Sequence, residues 1–184
     1  GGLAGLTACT GVQQPSAAED TRTAFDGTVS FDHGVASGDP LHDKVILWTR
    51  VTPQDEETAA PIPVTWTIYA DPALTRPVTS GFTETGASRD FTVKIDANGL
   101  SPATDYYFQF TARTKGGDAT SPVGRTKTTA KSGDAPVKFA FVSCSNYPFG
   151  RFHVYREIAN TPDLDCIIHL GDYFYEYGLD GYGA

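Results

Sequence analysis

The chain has 184 residues, of which 40% are hydrophobic and 20% are charged, a composition typical of globular proteins. Its length predicts one or two domains. The net charge is −8 and Lys and Arg form no cluster, which argues against a nucleic-acid-binding surface, because such a surface needs a basic patch. A phosphate-ester substrate remains compatible with this charge, because a bound metal ion can reverse the local field.

Residues 1–24 show neither a strand nor a helix pattern and are predicted to be a signal remnant followed by a flexible tether. Residues 6–9, Leu-Thr-Ala-Cys, resemble the lipobox of bacterial lipoprotein signals, in which the cysteine becomes the lipid-bearing first residue. We therefore expect an exported protein that is extracellular, periplasmic or attached to the cell envelope of a bacterium through a lipidated Cys9. The alternative is an apolar, glycine-rich tail that contains a cysteine by chance.

Residues 25–130 are predicted to form an all-β domain. Val64, Trp66 and Ile68 alternate with polar residues and so share one face of a strand. Seven short segments rich in β-branched and aromatic residues, separated by turn residues, are the strand count of an immunoglobulin-like or fibronectin III-like sandwich. The four clear segments and the three weaker ones are 44–51, 64–70, 91–96, 105–113, 32–37, 78–85 and 121–129.

A local motif supports the sandwich. Leu100, Pro102, Thr104 and Tyr106 stand at alternate positions before a strand, and this spacing resembles the tyrosine corner of fibronectin type III domains. In that motif the tyrosine hydroxyl bonds to upstream backbone. We therefore expect Leu100 and Tyr106 to be structural rather than catalytic.

Residues 131–184 are predicted to begin a second, α/β domain. A linker of small and polar residues leads to an apolar strand, a short helix and a second apolar strand, at 137–143, 153–160 and 166–170. This order predicts a βαβ unit with two parallel strands. The near-continuous apolar sequence is typical of strands that are covered on both faces. We expect Cys166 to pack there as a small hydrophobic residue, unpaired with Cys144.

Polar side chains follow both predicted strands of this unit. Cys144 ends the first strand, and Gly171 and Asp172 follow the second. Ligands of open α/β sheets bind beyond the carboxyl ends of the strands. Gly171 permits a sharp turn that can bring the oxygens of Asp172 and Tyr175 to one point near the Cys144 sulfur. A carboxylate, a phenolate and a thiolate together suit a first-row metal ion.

The remaining polar and aromatic residues near this edge have less specific interpretations. We expect His169 to pack or hydrogen-bond within its strand and His153 to begin the helix. Asn146 is a candidate contact for phosphate or metal, and Arg151 for phosphate, with ordinary surface exposure as the alternative. Three aromatic residues are expected to pack around the turn rather than take part in chemistry: Tyr173, Phe174 and Tyr177.

Three segments, 31–53, 139–159 and 165–178, resemble the PhoD-like alkaline phosphatase family, the first in its sandwich domain and the others in the opening motifs of its catalytic domain. The resemblance implies hydrolysis of phosphate mono- and diesters by a metal-activated hydroxide at a site of Fe³⁺ and Ca²⁺. By motif, Cys144 matches the thiolate ligand of iron, Asp172 the carboxylate that bridges iron and calcium, and Tyr175 the phenolate ligand of iron.

The family's other metal ligands come from later strands, so we expect this chain to be an N-terminal fragment with little activity of its own. The alternative function is a non-catalytic, cell-surface binding module built on the sandwich. The convergence of Cys144, Asp172 and Tyr175 separates the two hypotheses, because a pure binding module does not require it.

Overall fold

The structure, a computed structural model, describes residues 23–133 and 136–181. Cys9, the predicted lipidation site, lies outside the described residues. No helix in these two ranges is long and apolar enough to cross a membrane. In chain order the strands are β1 Val29–Ser30, β2 Val35–Gly38, β3 Lys44–Arg50, β4 Thr52–Pro53, β5 Ile62–Tyr69, β6 Pro77–Thr85, β7 Thr92–Asn98, β8 Asp105–Ala112, β9 Ala119–Thr120, β10 Gly124–Lys127, β11 Phe139–Val142 and β12 Cys166–His169, with helix α1 at His153–Ala159 before β12.

The first ten strands form the predicted β-sandwich. One sheet has the strand order β10-β8-β5-β6, with β9 paired to β8, and the other has the order β2-β3-β7. All of these pairs are antiparallel, and β1 pairs separately with β4. The seven strands of four or more residues among these correspond to the seven segments expected from the sequence, while β1, β4 and β9 have two residues each.

The core of the sandwich lies between the two sheets and follows the alternation in the sequence. Val45 and Leu47 of β3 face Phe108 and Phe110 of β8 within one buried cluster, in which the two phenylalanine rings make an edge-to-face contact. Gly124 of β10 lies directly against the Phe108 ring, where a Cβ atom would collide with it. Alternate burial of large side chains therefore fixes which face of each strand points inward.

The tyrosine corner is confirmed. Tyr106 is only 3% exposed, and its hydroxyl oxygen accepts a hydrogen bond of 2.9 Å from the backbone N–H of Ser101. Leu100 is buried beside it. Thr128 donates a 2.6 Å hydrogen bond to the Ser101 carbonyl, so the segment that follows β10 is tied to the same corner. These contacts support a structural role for Leu100 and Tyr106.

Beyond the sandwich, β11 and β12 pair in parallel, with Phe139 opposite Cys166 and Val142 opposite His169, and α1 lies between them in sequence. The expectation that both strands are covered on both faces was wrong, since Phe141 is 61% and Ile167 54% exposed. The expectation that Cys166 is packed was also wrong, because it is exposed. Two strands and one short helix have too little polypeptide to cover both faces of a sheet.

One carboxylate joins the sandwich to this α/β unit, by which we mean residues 136–181. Asp165 accepts a 2.6 Å hydrogen bond from Lys127 Nζ at the end of β10 and a 2.9 Å hydrogen bond from the backbone N–H of Lys138. The Lys127 ammonium, and then the Lys138 amide, hold the pKa of Asp165 below its usual value. The ion pair in turn raises the pKa of Lys127.

Candidate metal centre

The pairing of β11 and β12 continues past the strand ends and positions two turns side by side. The backbone N–H of Cys144 donates to the Gly171 carbonyl and that of Ser145 donates to the Asp172 carbonyl, each at 3.2 Å. The Ser145 carbonyl then accepts a hydrogen bond of 2.6 Å from the Tyr175 N–H. The segment that carries Cys144 is therefore in register with the segment that carries Asp172 and Tyr175.

In each turn, the first candidate metal ligand has a left-handed backbone conformation. The φ angle is 57° at Cys144 and 50° at Asp172, and it is 119° at Gly171 between β12 and Asp172. A left-handed conformation costs a residue other than glycine about 1–2 kcal/mol. Strain of this kind persists where the surrounding structure imposes it, and it is concentrated at functional sites.

These turns bring the three predicted side chains together. The Cys144 sulfur lies 3.6 Å from Asp172 Oδ2 and 3.9 Å from the Tyr175 hydroxyl oxygen. The Asp172 carboxylate is also near enough to the Tyr175 hydroxyl to raise its pKa. Cys144 and Asp172 are exposed and Tyr175 is half-buried, so the point where they meet is open to solvent. As the sequence predicted, Gly171 and the turn after β12 place both oxygens on one side.

The electrostatics of the three groups suit a cation. The hydrogen bond to Asp172, and then that to Cys144, raise the pKa of the Tyr175 phenol well above its usual value. Both acceptors favour the protonated phenol, because a phenolate would be a further negative charge beside a carboxylate. A cation bound beside these groups would have the opposite effect on Tyr175, because positive charge favours the phenolate. The donor set therefore fits a highly charged metal ion.

The phenol is essential to this set. Within residues 23–133 and 136–181, no group of three or more His, Cys, Asp or Glu side chains is placed to hold a metal ion. Cys144 and Asp172 supply two donors, and the Tyr175 oxygen completes three. Cys144 and Cys166 are both free thiols, as expected from the sequence.

A partly buried polar network lies beside the three side chains. Ser145 is 8% exposed, and its hydroxyl oxygen lies 2.7 Å from the Tyr155 hydroxyl of α1. The Tyr155 hydroxyl lies 3.2 Å from Nε2 of His169, whose Nδ1 is 3.3 Å from the Gly171 nitrogen. The hydrogen-bonding role expected for His169 is confirmed. Ser145 and Tyr155 were missed by the sequence analysis, although a half-buried tyrosine on a helix usually needs a hydroxyl partner.

The other candidates lie near this edge with separate contacts. His153 begins α1, as expected, and its Nδ1 is 2.7 Å from Nη2 of Arg156. Asn146 forms a parallel backbone bridge with Tyr175. Arg151 is exposed. Of these three residues, Asn146 is thus paired through its backbone with a residue of the candidate centre.

The aromatic residues of the turn contact one another, as expected. The Tyr177 ring stacks on the Tyr175 ring with centroids 5.4 Å apart, and the Tyr173 ring lies 5.2 Å from the His169 ring. Phe174 contacts Tyr173 edge-to-face. All three rings named as packing residues are nonetheless exposed, so they cover the turn without forming a core.

A crevice of about 630 Å³ lies between the sandwich and the α/β unit, away from the candidate centre. Its walls come from β2 and β10 on one side and from the end of α1 and the beginning of β12 on the other. Cys166 and Ile167, which line it, are at the amino end of β12, whereas Asp172 follows the carboxyl end. The convergence of ionisable side chains, rather than this crevice, therefore identifies the candidate site.

Comparison with known proteins gives the same order of parts. The family model of the N-terminal domain of PhoD-like phosphatases matches residues 15–130, and the PhoD-like phosphatase model matches residues 139–184. Alkaline phosphatase D of Bacillus subtilis (strain 168) is 37% identical over 189 residues, which cover 99% of this chain and 32% of that protein.

A solved structure of PhoD is 39% identical with a TM-score of 0.72, and the alignment covers 81% of this chain and 29% of that chain. A human fibronectin type III domain is 15% identical with a TM-score of 0.38, covering 59% of this chain and 77% of that domain, which is too distant to support an argument. The chain spans about a third of the length of the curated relative. Since the two family models match its two regions in order, the chain belongs to the PhoD-like phosphatase family.

Proposed function

We propose that a protein containing this chain hydrolyses phosphate mono- and diesters at a metal centre to which Cys144, Asp172 and Tyr175 contribute. The observation that carries the proposal is the convergence of a thiol, a carboxylate and a phenol beyond the ends of two parallel strands, on strained backbone. Family membership and the name of the Bacillus subtilis relative, alkaline phosphatase D, support the reaction class.

Fe³⁺ and Ca²⁺ are the metals we propose. Cys144 and Tyr175 would hold the ferric ion, because thiolate and phenolate are strong anionic donors, and Asp172 would supply a carboxylate to both ions. When bound, such ions supply positive charge to phosphate oxygens and make a water acidic enough to act as hydroxide near neutral pH. Tyr175 must lose its proton for this role, and its acidic neighbours then stabilise the bound cation instead of opposing the phenolate.

The chain's own contribution is an open, pre-formed set of donors. Cys144 and Asp172 are exposed, so a phosphate ester can approach them. The chain spans 32% of the length of the curated relative, and we propose that the other ligands come from the rest of the catalytic domain. Residues 139–184 would then be the first βαβ unit of a metallophosphatase domain, and the chain alone should have little activity.

The alternative, a non-catalytic binding module, accounts for the sandwich but gives no role to the strained turns. A binding module does not require Cys144, Asp172 and Tyr175 to lie so close together that ionisation of Tyr175 is disfavoured. Metal content therefore separates the two functions. A binding module would be purified without stoichiometric metal.

The test compares two Asp→Asn substitutions in the full-length protein. Asp172→Asn should lower metal content and the hydrolysis of p-nitrophenyl phosphate and bis(p-nitrophenyl) phosphate by about 10–100-fold or more, because removing ligands has effects of this size. Asp163→Asn, which removes an exposed carboxylate before β12, should change neither. Unchanged metal content and turnover in Asp172→Asn would exclude the proposed site.

We further propose that the protein is exported and anchored through Cys9, from the lipobox-like sequence at residues 6–9. Expressed with a complete signal, the protein should sediment with membranes, and Cys9→Ser should release it into the soluble fraction. Equal partitioning of the two forms would exclude the lipid anchor and leave export alone.

A further inference from the structure

We infer that Tyr155 is a positioning residue, whose hydroxyl holds the two ligand-bearing turns in the geometry that binds metal. This inference rests on the proposed function, because it assigns a role toward the metal ligands Cys144, Asp172 and Tyr175. Tyr155 lies on α1, outside both turns, and its hydroxyl contacts one residue from each side of the site.

The first contact reaches the turn after β11. The Tyr155 hydroxyl lies 2.7 Å from the hydroxyl of Ser145, the residue after Cys144. The backbone of Ser145 in turn bonds to the other turn, since its N–H donates to the Asp172 carbonyl and its carbonyl accepts from the Tyr175 N–H. Ser145 is therefore joined to all three proposed ligand residues, as a chain neighbour of one and through backbone hydrogen bonds to two.

The second contact reaches the turn after β12. The Tyr155 hydroxyl lies 3.2 Å from Nε2 of His169, and the Gly171 N–H donates to Nδ1 of the same ring. Gly171 carries the positive φ that starts the turn to Asp172. The imidazole thus connects Tyr155 to the point where the chain changes direction.

The hydrogen-bond directions are consistent around the network. Because Nδ1 accepts from Gly171, the proton of neutral imidazole is assigned to Nε2, which donates to the Tyr155 oxygen. The Tyr155 hydroxyl then donates to Ser145 Oγ. Tyr155→Phe would keep the ring contact with Phe152 but would leave both polar partners without this hydroxyl.

The contacts of the Tyr155 hydroxyl are partly shielded from water. Ser145 is the only buried residue within the described residues 136–181. Hydrogen bonds shielded from water are stronger, and losing one leaves its partners unsatisfied. Cys144 and Asp172 have unfavourable φ angles that relaxation of the turns would relieve. Without the Tyr155 hydroxyl, we expect the two turns to relax and the three donor atoms to separate.

The experiment uses the full-length protein and four variants: Tyr155→Phe, Ser145→Ala, the double variant and Tyr147→Phe. Tyr147→Phe removes an exposed hydroxyl from the same aromatic cluster and is the matched control. Two quantities are measured on metal-depleted protein titrated with Fe³⁺: affinity by chelator competition, and the wavelength of the visible band produced by iron-bound tyrosine.

Tyr155→Phe should weaken iron binding about 10-fold or more, as loss of a ligand's support does, and should shift the band. Ser145→Ala should act in the same direction with a smaller effect, because the Tyr155 contact with His169 remains. The double variant should be no weaker than Tyr155→Phe, because the contact between the two hydroxyls is already lost there. Tyr147→Phe should match the wild type. If Tyr155→Phe does not fold, Ser145→Ala still tests the contact between the Tyr155 and Ser145 hydroxyls, with weaker iron binding as the expected result.

Wild-type affinity and an unshifted band in both single variants would overturn the positioning role while leaving the proposed metal site intact. A fully additive double variant would also overturn it, because the hydroxyls would then act separately. If the wild type itself showed no band that depends on Tyr175, the proposed function would fail, and the role of Tyr155 with it.

Discussion

The sandwich and the α/β unit are held together by different means. Every buried hydrophobic side chain among the described residues lies between Phe25 and Ala112, in the sandwich. In the α/β unit the one buried residue among those described is a serine, and large apolar side chains such as Phe141 and Leu170 are exposed. The sandwich therefore has a core of its own, whereas the α/β unit depends on backbone pairing and a small polar network.

This contrast shows what each region contributes. Burial of apolar area stabilises the sandwich at about 25 cal/mol per Å². The α/β unit instead brings the side chains of the candidate metal centre together, and the backbone at Cys144 and Asp172 is strained as a result. Contiguous exposed apolar surface typically marks a region that binds other polypeptide or a ligand. If stability and chemistry are separated in this way, substitutions in the two regions should have different effects.

The largest expected effect comes from removing matched phenylalanine rings. Phe108→Ala should destabilise the chain by about 3–5 kcal/mol, because it opens a cavity in a packed core. Phe141→Ala should change the free energy of unfolding by less than about 0.5 kcal/mol, as expected for an exposed side chain. Urea denaturation followed by tryptophan fluorescence measures both. Similar losses in the two variants would show that the α/β unit has a core that these contacts do not reveal.

A smaller effect should follow from loss of the tyrosine-corner hydroxyl. Tyr106→Phe leaves the Ser101 N–H without its acceptor, so we expect a loss of about 1–3 kcal/mol in unfolding free energy. Tyr107→Phe is the control, because it makes the same chemical change at the half-buried neighbouring position. An equal effect of the two substitutions would remove the special role of the corner.

The smallest effect should come from the link between the two regions. Asp165→Asn removes the charge that pairs with Lys127 and should cost about 0.2–1 kcal/mol, the range of partly exposed ion pairs. Asp163→Asn, at an exposed neighbouring position with a Coulombic interaction with Arg125, should have a smaller effect. Thermal melts at neutral pH and moderate salt can compare the two variants.

The same pair gives a pH dependence with a defined sign. The pKa of Asp165 is lowered in the folded chain, so its stabilisation is present above the unfolded-state pKa and is lost as the pH falls through the folded-state pKa. The stability difference between wild type and Asp165→Asn should therefore vanish in acid. A difference that grew on acidification would show that Asp165 is not stabilised as a carboxylate.

The sequence predicted those features that depend on local pattern. Alternation of residues such as Val64, Trp66 and Ile68 identified the longer strands, and the spacing before Tyr106 identified the corner. The convergence of Asp172 and Tyr175 followed from a glycine at the end of an apolar strand. Strands β1, β4 and β9 were too short, at two residues each, for any pattern to reveal them.

Features that depend on distant neighbours could not be predicted in the same way. The apolar sequence of β11 and β12 indicated burial, but whether a residue such as Phe141 is covered depends on polypeptide beyond its own strand. The Ser145–Tyr155–His169 network joins a strand end, a helix and a second strand. No spacing along the chain predicts that three such side chains meet.

The central claim, that Cys144, Asp172 and Tyr175 hold a ferric ion, is tested most directly by the visible absorption spectrum of the iron-loaded full-length protein. A phenolate bound to ferric iron absorbs visible light by charge transfer from the ring, so the wild type should be coloured. Tyr175→Phe should lose the band while circular dichroism stays unchanged, because the ring that stacks on Tyr177 is retained. Tyr173→Phe, at the exposed neighbouring position, should keep the band. An undiminished band in Tyr175→Phe would contradict the assignment.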